Sequence, residues 1–165
     1  MLERTILLDG FSKTFAMTGW RLGYAAVPSE LVDPLTRLIV NSTSCVPPFV
    51  QLAGVAALEG PQDAVGEMVA EFRRRRDFLV PALNKIPGVS CVEPGGAFYA
   101  FPNVSGLPID ADVLADRLLV EAGVALLAGS AFGIHATDHL RISYAASLET
   151  LEQAIGRIET FVTAL

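Results

Sequence analysis

The stretch "DGFSKTFAMTGWRLGY", residues 9–24, follows a short apolar run and contains one lysine and one arginine, eight positions apart. Eight extended residues span up to about 26 Å. Lys13 and Arg21 can therefore reach one small ligand only if the chain between them doubles back. Glycines at positions 10, 19 and 23 permit tight turns and close backbone approach. The spacing makes a folded-back ligand loop possible.

Three interpretations of Lys13 compete. A nucleotide-binding P-loop is excluded because that motif requires glycine directly before the lysine, where this chain has Ser12. A solvated loop lysine is the ordinary alternative. The third is a Schiff-base lysine, whose amine must lose its proton near neutral pH. In that case Arg21 would bind the phosphate of a carbonyl cofactor in a bidentate contact.

The motif "GFSKTFAMTGWRLGY" resembles the cofactor-lysine motif of the fold-type I, class I/II aminotransferases that use pyridoxal 5'-phosphate. The resemblance implies that Lys13 is the catalytic Schiff-base lysine and that Arg21 binds the cofactor phosphate. Many family members have a phosphate-binding serine three residues before the lysine. This chain has Gly10 there, which leaves Ser12 as the candidate hydroxyl.

The resemblance continues along the chain, in the segments "NSTSCVPPFVQLAGVAALEGPQ" (41–62), "PGGAFYAFPN" (94–103), "LLAGSAFG" (126–133) and "HLRISYA" (139–145). The last is similar to the segment whose arginine binds the substrate α-carboxylate, which would be Arg141. From the residues alone, an arginine in an apolar strand needs an anionic partner. That partner is either a neighbouring acid or a bound anion.

The predicted fold class is α/β. Residues 1–75 are predicted to be part of the cofactor-binding large domain, and residues 76–165 a small α/β domain reached through a long helix. Two strands are too few for a stable parallel sheet in the first part. Strands are predicted at 4–10 (buried), 23–28, 89–93, 97–102, 123–129 and 139–145. Helices are predicted at 29–41 (N-cap Ser29), 47–60, 61–88 (kinked or ended at Pro81), 108–123 and 147–165 (N-cap Ser147).

Composition narrows the functional classes. Apolar residues make up 52% of the chain and the net charge is −6, which argues against a nucleic-acid binder. No window is apolar enough to span a membrane. Cys45 and Cys91 form no metal or disulfide pattern, and His135 and His139 are not expected on a helix, so no metal site is predicted. We expect a cytoplasmic protein.

The expected function is transfer of an amino group between an L-amino acid, with aspartate a candidate, and a 2-oxo acid. The chain is predicted to be the C-terminal part of the enzyme, inactive by itself and associated with a missing N-terminal portion and with further copies as a homo-oligomer. The alternatives are a pyridoxal-phosphate β-lyase-like relative and a non-catalytic, structural or dimerising remnant. The lysine motif does not separate the two enzymes.

Overall fold

The computed structural model describes residues 2–165, and of Leu2 the backbone only. The chain divides into two compact units, one ending at Glu67 and one running from Met68 to Leu165. Helix α4, Asp63–Leu83, contains the boundary. The assignment of residues 1–75 and 76–165 to the large and small domains of an aminotransferase stays a prediction.

The first unit contains a two-stranded antiparallel ladder and two long helices. Its elements are β1 (Leu7–Gly10), α1 (Phe11–Thr14), β2 (Gly23–Ala26), α2 (Ser29–Thr43) and α3 (Pro48–Glu59), with short 3-10 helices at Leu2–Arg4 and Thr18–Trp20. Residues Leu7 to Gly10 pair in order with Ala26 to Gly23. The second strand and both long helices are confirmed.

Two expectations about this unit were wrong. Strand β1 was expected to be buried, but Leu8 is 76% exposed, because the ladder has only the strands β1 and β2 among residues 2–67. Ser29 was expected to cap α2. It is instead the first helical residue, and Pro28, with ψ near 143°, is the extended residue that precedes the helix.

The long helix α4 is shorter at both ends than the pattern predicted. It begins at Asp63 rather than Pro61 and ends at Leu83, two residues beyond Pro81. Proline has no N–H to donate, and Pro81, where a kink or the end of the helix was predicted, lies in the last turn of α4. Gly88 follows in a left-handed turn with φ of 83°.

The second unit places two helices against a three-stranded antiparallel sheet. Its remaining elements are β3 (Tyr99–Ala100), α5 (Ala111–Ala122), β4 (Leu127–Ala128), a 3-10 helix (Gly129–Phe132), β5 (Leu140–Ser143) and α6 (Leu148–Thr163). Strand β5 lies between β3 and β4. The strands predicted at 97–102, 123–129 and 139–145 are confirmed in shorter form. The segment 89–93 is not a strand, because only Ser90 pairs there, in a single bridge to Asn103.

The helices of the second unit are held in place by two clusters of buried apolar residues. Leu118 on α5 and Ile158 on α6 belong to one buried cluster, and Leu79 on α4 and Tyr144 belong to another. Ser147 caps α6 as predicted, since its Oγ accepts the N–H of Thr150 at 3.2 Å.

None of the helices within residues 2–165 combines the length and the apolar character needed to cross a bilayer.

Candidate functional site

The lysine lies on a short, anchored connection between two paired strands. Gly10 pairs with Gly23, so residues 11–22 form a closed loop, as the glycine spacing had suggested. Phe11 is the buried anchor of this loop, and its N–H donates to the carbonyl of Leu22 at 3.2 Å. Lys13 lies two residues later on α1 and is exposed, while Ser12 is half-buried.

Helix α3 packs directly against this loop. Gly54 is buried on α3, and a Cβ built there would lie 2.5 Å from Leu22 Cδ2 and 3.4 Å from the Phe11 ring. The absence of a side chain at Gly54 therefore lets the helix approach both ends of the loop. The packing fixes the backbone that carries Ser12 and Lys13.

Arg21 ends the 3-10 helix Thr18–Trp20 in a left-handed conformation, with φ of 53° and ψ of 47°. A left-handed backbone is uncommon for a residue with a Cβ, and such residues are frequent where the chain reverses near a ligand. The Nη1 of Arg21 donates to the carbonyl of Thr18 at 3.0 Å, which fixes one side of the guanidinium. The arginine is exposed, on the same loop as Lys13.

Sequence reasoning missed a polar pair at the base of the loop. Tyr24 and Asp9 lie opposite each other in the β1–β2 ladder, and the Tyr24 hydroxyl donates to Asp9 Oδ2 at 3.3 Å. Asp9 Oδ1 also accepts the N–H of Gly10 at 2.7 Å. Only the strand register brings the pair together, and the sequence does not state that register.

Arg141 lies in the second unit, at the centre of β5. Its guanidinium carbon is 4.5 Å from the ring centroid of Tyr99 and 4.5 Å from that of Phe132. None of the ion pairs formed among residues 2–165 involves Arg141. Of the two partners that the sequence left open, a neighbouring acid is therefore not present in the described part of the chain.

Three arginines on α4 behave differently. Arg74, Arg75 and Arg76 follow one another on this helix, and all three form ion pairs with nearby acidic residues. Hydrogen bonds from Arg74 and Arg75 lower the pKa of Glu71 from its usual 4.5 to about 2. Arg74, Arg75 and Arg76 thus each have an acidic partner, whereas Arg141 has none among residues 2–165.

The predicted site residues are divided between the two units. Ser12, Lys13 and Arg21 lie together on the loop of the first unit, and Arg141 lies on the sheet of the second. The loop offers a hydroxyl, an amine and a guanidinium, a donor set that suits a ligand with both a carbonyl and a phosphate. No group of three His, Cys, Asp or Glu residues within 2–165 is placed to hold a metal ion.

The family model and the similar proteins that this chain matches are all aminotransferases. The family model described as "Aminotransferase class I and II" matches residues 2–158. An aspartate aminotransferase of Pyrococcus horikoshii is 45% identical over 159 residues, and one of Geobacillus stearothermophilus is 43% identical over 166 residues. These alignments cover 95% and 98% of this chain, but 41% and 42% of the relatives.

A solved structure shows the same arrangement of helices and strands. The crystal structure of an aromatic aminotransferase from Pyrococcus horikoshii OT3 matches 99% of this chain with a TM-score of 0.94 and 41% identity, and 44% of that structure is covered. The chain thus spans less than half the length of the proteins it matches.

Proposed function

We propose a function that follows from family membership: this chain belongs to the aminotransferase class I and II family. It would supply part of an enzyme that transfers an amino group between an L-amino acid and a 2-oxo acid. The first unit would contribute the lysine and two phosphate ligands, Arg21 and Ser12, and the second unit would contribute one carboxylate ligand, Arg141. The observation that carries the proposal is Arg141, a half-buried arginine with no acidic partner among residues 2–165.

Lys13 would hold pyridoxal 5'-phosphate through its Nζ, on a loop fixed by Phe11 and by the approach of α3 at Gly54. When bound, the cofactor ring withdraws electrons from the substrate Cα. The amino group of the substrate would take the place of Lys13 Nζ on the cofactor, and the freed Nζ amine would then act as general base and take the proton of that carbon. A loop anchored at both ends keeps the amine in one place for this transfer.

Arg21 and Ser12 would bind the cofactor phosphate. The Thr18 carbonyl fixes one side of the Arg21 guanidinium, and its other N–H groups, which bond no other group within residues 2–165, can bind an anion. Guanidinium groups bind phosphate in a planar, bidentate contact that a lysine cannot reproduce. The Ser12 hydroxyl, on the same turn as Lys13, can add a hydrogen bond.

Arg141 would bind the α-carboxylate of the substrate. Arg141 lies within a strand and has no acidic partner among residues 2–165, so an anionic ligand is favoured over water because the cation is already partly desolvated. A bidentate contact would also fix the orientation of the Cα–H bond. This would place the arginine among the residues that select α-amino acids as substrates.

The side chain of the amino donor is a separate matter. Two relatives are named aspartate aminotransferases, while the solved structure is named an aromatic aminotransferase, at similar identity. Aspartate remains our candidate substrate. A preference between acidic and aromatic side chains cannot be assigned to Lys13, Arg21 or Arg141, since the roles proposed for them concern groups that all these substrates share.

The proposed partners follow from the short coverage and from the exposed apolar surface. Leu8, Leu38, Phe49 and Leu52 are all more than half exposed in the first unit. Such surface is normally covered in a stable assembly. We propose that the chain acts with the portion of the enzyme that its relatives possess and it lacks, as a homo-oligomer in the cytoplasm, and that it has little or no transamination activity alone.

The phosphate role can be tested by comparing pyridoxal 5'-phosphate with pyridoxal. We expect the wild-type chain to bind the phosphorylated form more tightly, and Arg21→Gln to remove most of that preference. Arg37→Gln is the matched control, since it removes one exposed arginine from α2 in the same unit. Equal preference in the wild type and in Arg21→Gln would contradict the role given to Arg21.

A further inference from the structure

One face of the second unit's sheet is aromatic and carries Arg141. In the register of the sheet, Tyr99 lies opposite Ser143, and Arg141 lies two residues before Ser143 on the same strand. Because side chains alternate along a strand, these residues share one face. Ala100, which follows Tyr99, and Leu140, which precedes Arg141, are buried in the core on the other face. The aromatic face is thus a consequence of strand register.

The guanidinium of Arg141 contacts two aromatic rings, that of Tyr99 on β3 and that of Phe132 on the 3-10 helix Gly129–Phe132. Each ring centroid lies 4.5 Å from the guanidinium carbon, within the range of about 6 Å for a cation–π contact. Phe132 is supported in turn by Phe101, whose ring meets it edge to face at 6.0 Å. Phe101 also stacks on His139 at 5.1 Å. The rings therefore form a continuous support.

Two other arginines of the same unit also stack on a ring, but each has an acid partner. Arg117 lies 4.9 Å from the centroid of Phe161 and pairs with Glu121 at 2.7 Å. Arg75 lies 5.5 Å from that of Phe72 and pairs with Glu71 at 2.7 Å. In Arg141 a second ring takes the place of the carboxylate, so the N–H groups at the edge of the guanidinium are not committed to an acid within residues 2–165.

We propose that Tyr99 and Phe132 are positioning residues that hold the guanidinium plane of Arg141 for a carboxylate. The inference rests on the proposed function of Arg141. Rings contact the faces of a guanidinium, whereas a carboxylate binds its edge, so the two interactions do not compete. An acidic partner would occupy that edge and lower the affinity for substrate. The aromatic pair orders the side chain without neutralising its charge.

The test uses the whole 165-residue chain with 15N-labelled arginine, and follows the Nε–H signals of Arg141 and Arg117 by NMR. Glycine is the probe because it carries an α-carboxylate and no side chain, and ethanolamine, which lacks the carboxylate, is the control. We expect glycine alone to shift the Arg141 signal in a saturable way. The Arg117 signal should not respond, because Glu121 already occupies its edge.

Phe132→Leu is the principal variant, since Phe132 is 47% exposed and its ring can be removed without emptying the core. Without glycine, its Arg141 signal should lose the ring-induced shift and exchange faster with water. The glycine affinity should fall by about fivefold, the scale of one cation–π contact. Phe132→Tyr should restore both. Phe161→Leu is the matched control and should leave Arg141 unchanged.

The outcomes separate the two claims. Suppose that Phe132→Leu removes the ring-induced shift of the Arg141 signal but glycine binds neither the wild type nor any variant. The ring contacts then exist, but both the carboxylate-binding role of Arg141 and the positioning role of the rings are overturned. If glycine binds Phe132→Leu as tightly as the wild type, the positioning role is overturned while the function of Arg141 stands. A loss of affinity that Phe132→Tyr does not restore would also overturn it.

Discussion

Gly129 should be intolerant of any side chain, because it lies where β4 meets β5. Its N–H donates to the carbonyl of His139 at 2.7 Å. A Cβ built at Gly129 would lie 2.8 Å from that same oxygen and still closer to the carbonyl oxygen of Ala136. Ordinary contact begins near 3.4 Å, so the strands would have to separate by at least about 0.6 Å.

The expected cost of Gly129→Ala follows from that displacement. Overpacking against a well-packed backbone costs about 1–3 kcal/mol. The strained hydrogen bond to His139 adds about 1 kcal/mol. We therefore expect Gly129→Ala to destabilise the second unit by about 2–4 kcal/mol. The 3-10 helix that starts at Gly129 carries Phe132, so the Arg141 signal should shift as well.

Urea unfolding of the wild type and the variant, followed by NMR of core methyl groups of the second unit such as those of Leu118 and Ile158, measures this cost. Gly156→Ala is the matched control, because Gly156 lies within α6 and a Cβ there meets nothing within 4 Å. That exchange should stabilise the unit by about 0.5–1 kcal/mol. The steric argument would be refuted if Gly129→Ala were as harmless as Gly156→Ala.

Three further predictions concern ionisable and polar groups. Iodoacetamide at pH 8 should label exposed Cys45 well before Cys91, since burial raises the pKa of the Cys91 thiol; equal rates by mass spectrometry would contradict this. The pKa of Glu71 is depressed to about 2, so its contribution to stability is present above pH 4.5 and lost as the pH falls towards 2. Glu71→Gln should therefore lower the urea midpoint at pH 6 but hardly at pH 2, whereas a constant difference would refute the assignment. Tyr144→Phe should cost about 1 kcal/mol in urea unfolding, because it removes the hydroxyl that donates to the Ala97 carbonyl at 3.1 Å; an unchanged midpoint would contradict that reading.

Helices were the part of the fold most open to prediction from sequence. Helix α6 could be placed from its apolar periodicity and from Ser147, whose capping hydrogen bond is local. The prediction that Ser29 caps α2 was wrong, because Pro28 adopts the extended conformation that precedes the helix and Ser29 is already helical. A serine and its neighbour do not determine which of them precedes the first turn.

Strands were harder, because pairing and burial depend on distant residues. The apolar run at β1 looks like a buried strand, but Leu8 is exposed because none of residues 2–67 covers it. The segment 89–93 has strand-like composition but pairs at one residue, Ser90. Register likewise decides that Tyr99 lies beside Arg141, so the aromatic contacts could not be foreseen.

The most direct test of the account is whether Lys13 is the lysine that reacts with pyridoxal 5'-phosphate. The chain has one other lysine, Lys85, which provides an internal control. The purified chain would be incubated with the cofactor, scanned for absorbance, reduced with borohydride and mapped by peptide mass spectrometry. We expect an adduct on Lys13, absent in Lys13→Arg and unchanged in Lys85→Arg. Equal modification of both lysines, or no stable adduct, would contradict the claim that this loop is a preformed part of a cofactor site.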